Sequence, residues 1–300
     1  MTPTALFLIT LSVFAHAGWN FFSKNRPSLA FFWISVLASM AALAPLAAHY
    51  RLLLPSVTNG VWTLVAATGF FQAVYFSGLA GAYRHGDLSV TYPVLRALPV
   101  LGVTVLSLLL GQGAAIAPPG LLGIGLVVIG CLLLPLEEFA LPRLRDYLSP
   151  ALLLALVAAA GTTGYTLVDD AAQRLLRDEF GGLSPLEVTA FYVVLQTYST
   201  GIWMALAVLL QPSERRRLAA LATRGAGAAA LTGLVITSAY ALVLASMAFV
   251  SNVSYVAAFR QLSIPLGAAL GMLLLGEKPH GPKLLGLTTL VVGLVLVALY

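Results

Sequence analysis

Apolar runs of about 20 residues recur from one end of this chain to the other, separated by breaks too short to fold alone. That feature decides the solvent. A run of this length crosses the hydrocarbon core of a bilayer as a helix, because only a helix satisfies its own backbone donors and acceptors away from water. Hydropathy and breakers place ten spans, near residues 3–23, 28–49, 60–82, 88–110, 117–136, 149–172, 184–210, 225–248, 251–275 and 281–300. The breaks fall on polar or Gly/Pro-containing stretches such as "KNRPS", "RHGD", "PSERRR" and "GEKPHG". Only 9% of the residues are charged, against about 25% in a soluble domain, which excludes an ordinary water-soluble fold. The net charge of +5 therefore reads as loop lysines and arginines that hold topology, and nucleic acid is not an expected partner. The first run ends in Ala15-His16-Ala17, which imitates a signal-peptidase site. No positive charge precedes it, and the apolar segment continues to Lys24, so it is expected to persist as the first span.

The spans repeat. "LLLGQ" at 108–112 recurs as "LLLGE" at 273–277, and "GLLGIGLVVIGCLL" resembles "KLLGLTTLVVGLVL". A shift of 146 lays His16, Trp19, Asn20 and Ser23 on Thr162, Tyr165, Thr166 and Asp169. A shift of 165 lays Gln72 and Tyr75 on Thr237 and Tyr240, and a shift of 164 lays Arg96 on Arg260. The chain is expected to be two five-helix units, residues 1–143 and 144–300. Five is odd, so the copies enter the membrane in opposite directions, the inverted-repeat plan of many secondary transporters with a site between the halves. The expected fold class is thus an all-α membrane protein of ten transmembrane helices around a central cavity. Loops after odd-numbered spans hold 11 Lys and Arg, and loops after even-numbered spans hold three, so the odd loops are expected in the cytoplasm and both termini in the periplasm.

Polar side chains inside the spans mark the candidate site. Arg96 and Arg260 each lie well inside an apolar run, at a cost of roughly 2.5–3.5 kcal/mol on insertion scales. Either they face a cavity and meet an anionic group such as a carboxylate, or they brace backbone carbonyls and helix ends. Tyr92 stands one turn before Arg96 and shares its face. His16, Trp19, Asn20 and Ser23 form one helical stripe, repeated in Thr162, Tyr165, Thr166 and Asp169 and again in Gln196, Ser199, Thr200 and Trp203. Such stripes line a bundle interior or bond helix to helix. His16 could carry a proton, since an unperturbed imidazole titrates near pH 6.5. Of the adjacent Asp169 and Asp170, one is expected to pair with Arg174 or to hold a cation. Gly267 and Gly271 read as a close-approach pair.

No phosphate-binding loop, no HExxH and no cysteine cluster is present, so no enzyme activity, metal or cofactor is expected. Cys131 stands alone, which excludes an intrachain disulfide.

The tandem units ending in "LLLGQ" and "LLLGE", with "HAGWNFFSK" and "YRHGDLSVTYPVLRALP", resemble the drug/metabolite transporter superfamily, in particular its ten-helix EamA-type members. The resemblance covers nearly the whole chain. It departs at Gln112, where the family often has the glutamate that Glu277 keeps. The resemblance implies a basket of helices in the bacterial inner membrane that exports amino acids and other small metabolites by alternating access. The aromatic amino acid and methyl viologen exporter is one such type. On that expectation the substrate-binding residues are Arg96, Arg260, His16, Trp19, Asn20, Tyr92, Tyr165, Gln72, Tyr75 and Asp169. The partners are a small metabolite and the bilayer, and one chain holds both halves of a pathway, enough for a monomer. The rivals are a multidrug exporter of cations, which two buried arginines disfavour unless Asp169 neutralises them, and a membrane-embedded enzyme or sensor.

Overall fold

The computed structural model describes all residues except 24–27, 86–87, 135, 137–148 and 275–279; the side chains of 16–23, 85, 88–94, 222–224 and 269–274 also lie outside the description. Among the described residues every regular element is helical. The helices are α1 (Pro3–Ser23), α2 (Leu29–Tyr50), α3 (Asn59–His85), α4 (Leu88–Leu109), α5 (Pro118–Leu133), α6 (Pro150–Glu179), α7 (Pro185–Leu209), α8 (Pro212–Arg224), α9 (Ala226–Met247), α10 (Val253–Phe259), α11 (Ser263–Leu274) and α12 (Gly281–Leu299). Six of them, α2, α3, α6, α7, α9 and α12, are both long and apolar enough to cross a membrane. Their outer faces stay apolar: Leu37, Phe70, Leu153, Ile202, Leu231 and Val295 are all exposed. A soluble protein does not present so much contiguous apolar surface to water. The chain is an all-helical membrane protein.

Helix starts follow local chemistry. Ser28, Ser149 and Ser184 each accept a backbone N–H from the first turn of α2, α6 and α7. Ser184 and Glu187 complete a capping box, and proline occupies the first turn of α6 and α7.

Two segments differ from the sequence expectation. The ninth span is broken. A 3-10 turn, Arg260–Leu262, separates α10 from α11. Pro265 has no N–H to give a preceding carbonyl and is tolerated in a first helical turn, so a new helix beginning at Ser263 accommodates it. The break before the eighth span, expected as a loop around "PSERRR", is a separate amphipathic helix, α8, whose "SERRR" cannot enter hydrocarbon.

α3 packs along α6, α1 along α9, α5 along α12, α3 along α7 and α2 along α9. Glycines let these backbones approach. A Cβ on Gly123 would meet the Gly293 carbonyl at 2.8 Å, and one on Gly293 would meet the Gly123 carbonyl at 2.6 Å. Gly130 and Gly286 oppose each other in the same way on the same two helices. Gly69 lies on Ser199, and Gly233 on the Ser35 carbonyl, too close for any added methyl. Gly267 behaves otherwise: among the described residues a Cβ there would meet nothing within 4 Å, so the expected Gly267–Gly271 approach is not seen at its described member.

One end of the bundle is clasped by Glu214 of α8, almost fully buried. Its carboxylate accepts the Ala30 N–H at the start of α2 at 3.0 Å, Arg84 at the end of α3 at 2.9 Å, and Arg217 at 2.8 Å. The opposite end carries Glu179, which accepts both the backbone N–H and the hydroxyl of Thr58. The Met1 amino group donates to the Ala298 carbonyl, so both termini share one end. Replacing Glu214 with Gln removes the charge from two ion pairs but keeps one acceptor. The expected loss is about 1–2 kcal/mol, read as a lower unfolding midpoint in detergent. An unchanged midpoint would assign the clasp no net energy.

Candidate functional site

The polar residues of the inner stripes converge on a two-lobed cavity. The first lobe, about 600 Å³ of empty space including its mouth, is lined by Val36, Gln72, Tyr75, Phe76, Tyr165, Gln196, Thr197, Thr200, Ile236, Thr237, Tyr240 and Arg260. The second, about 710 Å³, is lined by Tyr75, Leu79, Tyr83, Leu95, Arg96, Pro99, Val103, Thr162, Tyr165, Thr166, Ala257, Arg260 and Gln261. Tyr75, Tyr165 and Arg260 belong to both and divide them.

The dividing wall is aromatic. Tyr75 meets Tyr165 edge-on at 5.8 Å, and Tyr165 meets Tyr240 edge-on at 5.5 Å, an arrangement that suits ring quadrupoles. The Arg260 guanidinium lies 5.7 Å from the Tyr240 ring centroid, a cation–π distance. Arg260 reaches this position because the chain breaks there, between α10 and α11. Ser263 ties the two arginines: its hydroxyl accepts a hydrogen bond from Arg96 and donates to the Arg260 carbonyl at 3.2 Å. Arg96 and Arg260 therefore stand in one polar assembly, with Arg260 facing both lobes. On the opposite wall, Gln72 donates to Gln196, whose own amide donates to Thr197 at 2.9 Å.

Asp169 is fully buried and lies just behind the lining. It accepts hydrogen bonds from the hydroxyls of Thr68 on α3, Tyr192 on α7 at 2.6 Å, and Tyr240 on α9. Its neighbour Asp170 takes the partner expected of one of the two, pairing with Arg174 at 2.9 Å. Along helices rising about 1.5 Å per residue, Asp169 sits about 15 Å from the Glu179 end, whereas Tyr75, Thr200 and Tyr165 sit about 21–24 Å from it. The carboxylate and its donors thus close the cavity towards the Glu179 end. The second lobe reaches Tyr83, two residues before the end of α3, and so extends towards the Glu214 end.

Of the residues singled out from the sequence, Arg96, Arg260, Gln72, Tyr75 and Tyr165 line the cavity. Asp169 does not; it reaches the cavity only through Tyr240. The side chains of His16, Trp19, Asn20 and Tyr92 lie outside the described residues, as does Glu277. The stripe on α7 divides: Gln196 and Thr200 face the cavity, while Ser199 donates to the Val65 carbonyl at 2.7 Å and Trp203 to the Ala66 carbonyl at 2.9 Å. Trp33 likewise packs and donates to the Gly201 carbonyl.

Thr68, Tyr192 and Tyr240 were missed as site residues, although signals exist. Thr68 stands at i, i+4, i+7 with Gln72 and Tyr75, and Tyr192 one turn before Gln196. Tyr240 is the repeat mate of Tyr75. Among the described residues no cluster of three His, Cys, Asp or Glu could hold a metal ion.

No protein-family model and no curated protein matches the sequence. A solved crystal structure of a protein shares the fold, with a TM-score of 0.64 at 15% identity, over 100% of this chain and 97% of the other. At that identity the likeness concerns the fold alone.

Proposed function

We propose that this chain is a secondary transporter that exports small metabolites, amino acids foremost, by alternating access between two inverted five-helix units. The observation that carries the proposal is the two-lobed cavity inside an apolar bundle, with Arg260 exposed to both lobes and an aromatic wall beside it. Arg260 would meet a carboxylate, while Tyr75, Tyr165 and Tyr240 would take an apolar or aromatic side chain. The buried amide pair Gln72–Gln196 offers donors and acceptors to an ammonium or amide group.

The inverted-repeat plan draws support from reciprocal contacts. A single shift of 164 relates Gly69 to Gly233 and Ser35 to Ser199, and the structure pairs Gly69 with Ser199 and Gly233 with Ser35. A shift of 163 relates Gly123 to Gly286 and Gly130 to Gly293, and these too contact crosswise. Two copies related by a two-fold axis make contacts of this kind, residue i on j and j on i. Helices packed across such an axis can rock about a central site. Counting the tenth crossing requires α10 and α11 to act as one broken span.

Arg84, Arg215, Arg216 and Arg217 cluster at the Glu214 end, while Arg51, Arg174 and Arg177 lie at the other. By the positive-inside rule the Glu214 end is cytoplasmic, both termini are periplasmic, and the cavity extends towards the cytoplasm. This suits the loading state of an exporter in a bacterial inner membrane. A cation exporter fits less well, because the ionised side chains that face the cavity among the described residues are arginines.

The test is counterflow. Purified protein in liposomes preloaded with unlabelled amino acids is expected to accumulate the matching labelled amino acid. Silence across the panel with uptake of a lipophilic cation would replace this proposal with multidrug export.

A further inference from the structure

Among the described residues Asp169 is the one carboxylate built into the interior beside the cavity, and nothing in the substrate site described above uses it. The three hydroxyls around it come from three different helices, α3, α7 and α9, and all three point their hydrogens at it. Among the described residues no lysine or arginine forms a salt bridge with it. Burial penalises the ionised carboxylate and hydroxyl donors favour it, so the two effects are set against each other at this one group. A hydroxyl can also accept, so the same heavy-atom positions can hold the neutral acid after one hydroxyl rotates.

Tyr240 connects this group to the cavity. Its ring forms the cavity wall and stacks under Arg260, while its hydroxyl reaches behind the wall to Asp169 Oδ2. Thr68 and Tyr192 both bond the other oxygen, Oδ1. Among the described residues Tyr240 therefore supplies the single hydrogen bond to Oδ2, and its departure would open Oδ2 to water. Any movement of α9 that opens the cavity towards the Glu179 end must first break this contact, because the carboxylate layer closes that end.

We propose that Asp169 is a proton-binding site of the transport cycle, gated by the Tyr240 hydroxyl. The proton comes from water, forms an O–H bond at Oδ2, and leaves by the same route; nothing is oxidised or reduced. In the present conformation the site is sealed, and exchange occurs when the Glu179 end opens. Among the described residues, the titratable or charged groups that act on it are Tyr192 on α7, Tyr240 on α9 and Arg260 in the turn after α10; Tyr165, Asp170 and Arg174 share its own helix, and Tyr75, Arg96 and Tyr255 stand on α3, α4 and α10, which pack against α6. Arg174 is held by Asp170, and the Tyr255 hydroxyl is turned away to the Ala117 N–H. A sodium ion fits this arrangement less well, since three hydroxyls that donate to the carboxylate would each have to turn an oxygen towards the ion.

The coupling rests on the transport proposal, but the proton site is tested without it. Infrared spectra of the purified protein, recorded over a series of pH values, isolate the carboxyl band from His16 and the tyrosines. A protonated-carboxyl band that titrates in the wild type and is absent in Asp169→Asn is expected. In Tyr240→Phe, which keeps the ring in the wall, the loss of a donor to the ionised form raises proton affinity about tenfold and moves the same titration to higher pH. An identical titration in Asp169→Asn overturns the proposal. So does a wild-type band that ignores pH and responds to sodium. Should Asp169→Asn not fold, the Tyr240→Phe displacement decides alone: no displacement overturns the gating. In vesicles that already show counterflow, a pH gradient is expected to drive wild-type flux and to leave Asp169→Asn exchange undriven. Titration without any counterflow would retain the proton site and reject transport.

Discussion

Arg260→Gln is expected to weaken binding of a carboxylate-bearing substrate about 10- to 100-fold. The magnitude follows from the loss of a charge-assisted hydrogen bond, roughly 1.5–3 kcal/mol, in a site partly screened from water. Arg260 faces both lobes, so its charge stays available wherever the substrate sits. Arg96→Gln should cost less, because Arg96 is engaged with Ser263 and lines one of the two lobes. Arg260→Lys should recover only part of the affinity. An ammonium keeps the charge but loses the flat face that lies over the Tyr240 ring. The measurement is competition in counterflow by a substrate and by its decarboxylated analogue. The analogue should be indifferent to Arg260→Gln. Equal losses for both compounds would make Arg260 a brace of the broken helix and move the carboxylate site elsewhere.

The second large effect contrasts two glycines under the same substitution. Gly233→Ala places a methyl into the Ser35 carbonyl, where backbone rather than a flexible side chain stands in the way. α9 and α2 must separate, and overpacking of this kind costs roughly 3 kcal/mol, a large share of a typical folding free energy. Gly267→Ala adds the same methyl to open space within α11. Alanine is the better helix former by up to about 1 kcal/mol, so this variant should be neutral or more stable. Unfolding midpoints in detergent should fall strongly for the first and hold or rise for the second. Equal behaviour would mean that α2 and α9 do not meet at Gly233. Gly69→Ala, at the corresponding contact with Ser199, should behave like Gly233→Ala if the two units are copies.

The sequence by itself determined the solvent, the positions of most of the long helices, and which side chains cannot face lipid. Each follows from short-range rules: about 20 apolar residues span a bilayer, serine and proline mark helix starts, and polar residues three or four apart share a face. Gln72, Tyr75, Arg96, Tyr165 and Arg260 could be singled out on those grounds. The break at Arg260 left only a weak trace, because Pro265 is compatible with a continuous helix as well as with a new one. The tertiary structure alone decided the rest. Thr68, Tyr192 and Tyr240 are 101, 23 and 71 positions away from the carboxylate they share. Helical periodicity fixes which residues lie on one face of one helix, but not which faces meet. That choice depends on the rotation and crossing of each pair, set here by glycines such as Gly69, Gly123 and Gly233 that admit the neighbouring backbone. Asp169 and Asp170 make the point most sharply. Adjacent in sequence and identical in chemistry, they were separated by packing alone, one turned to Arg174 and the other sealed among three hydroxyls beside the cavity.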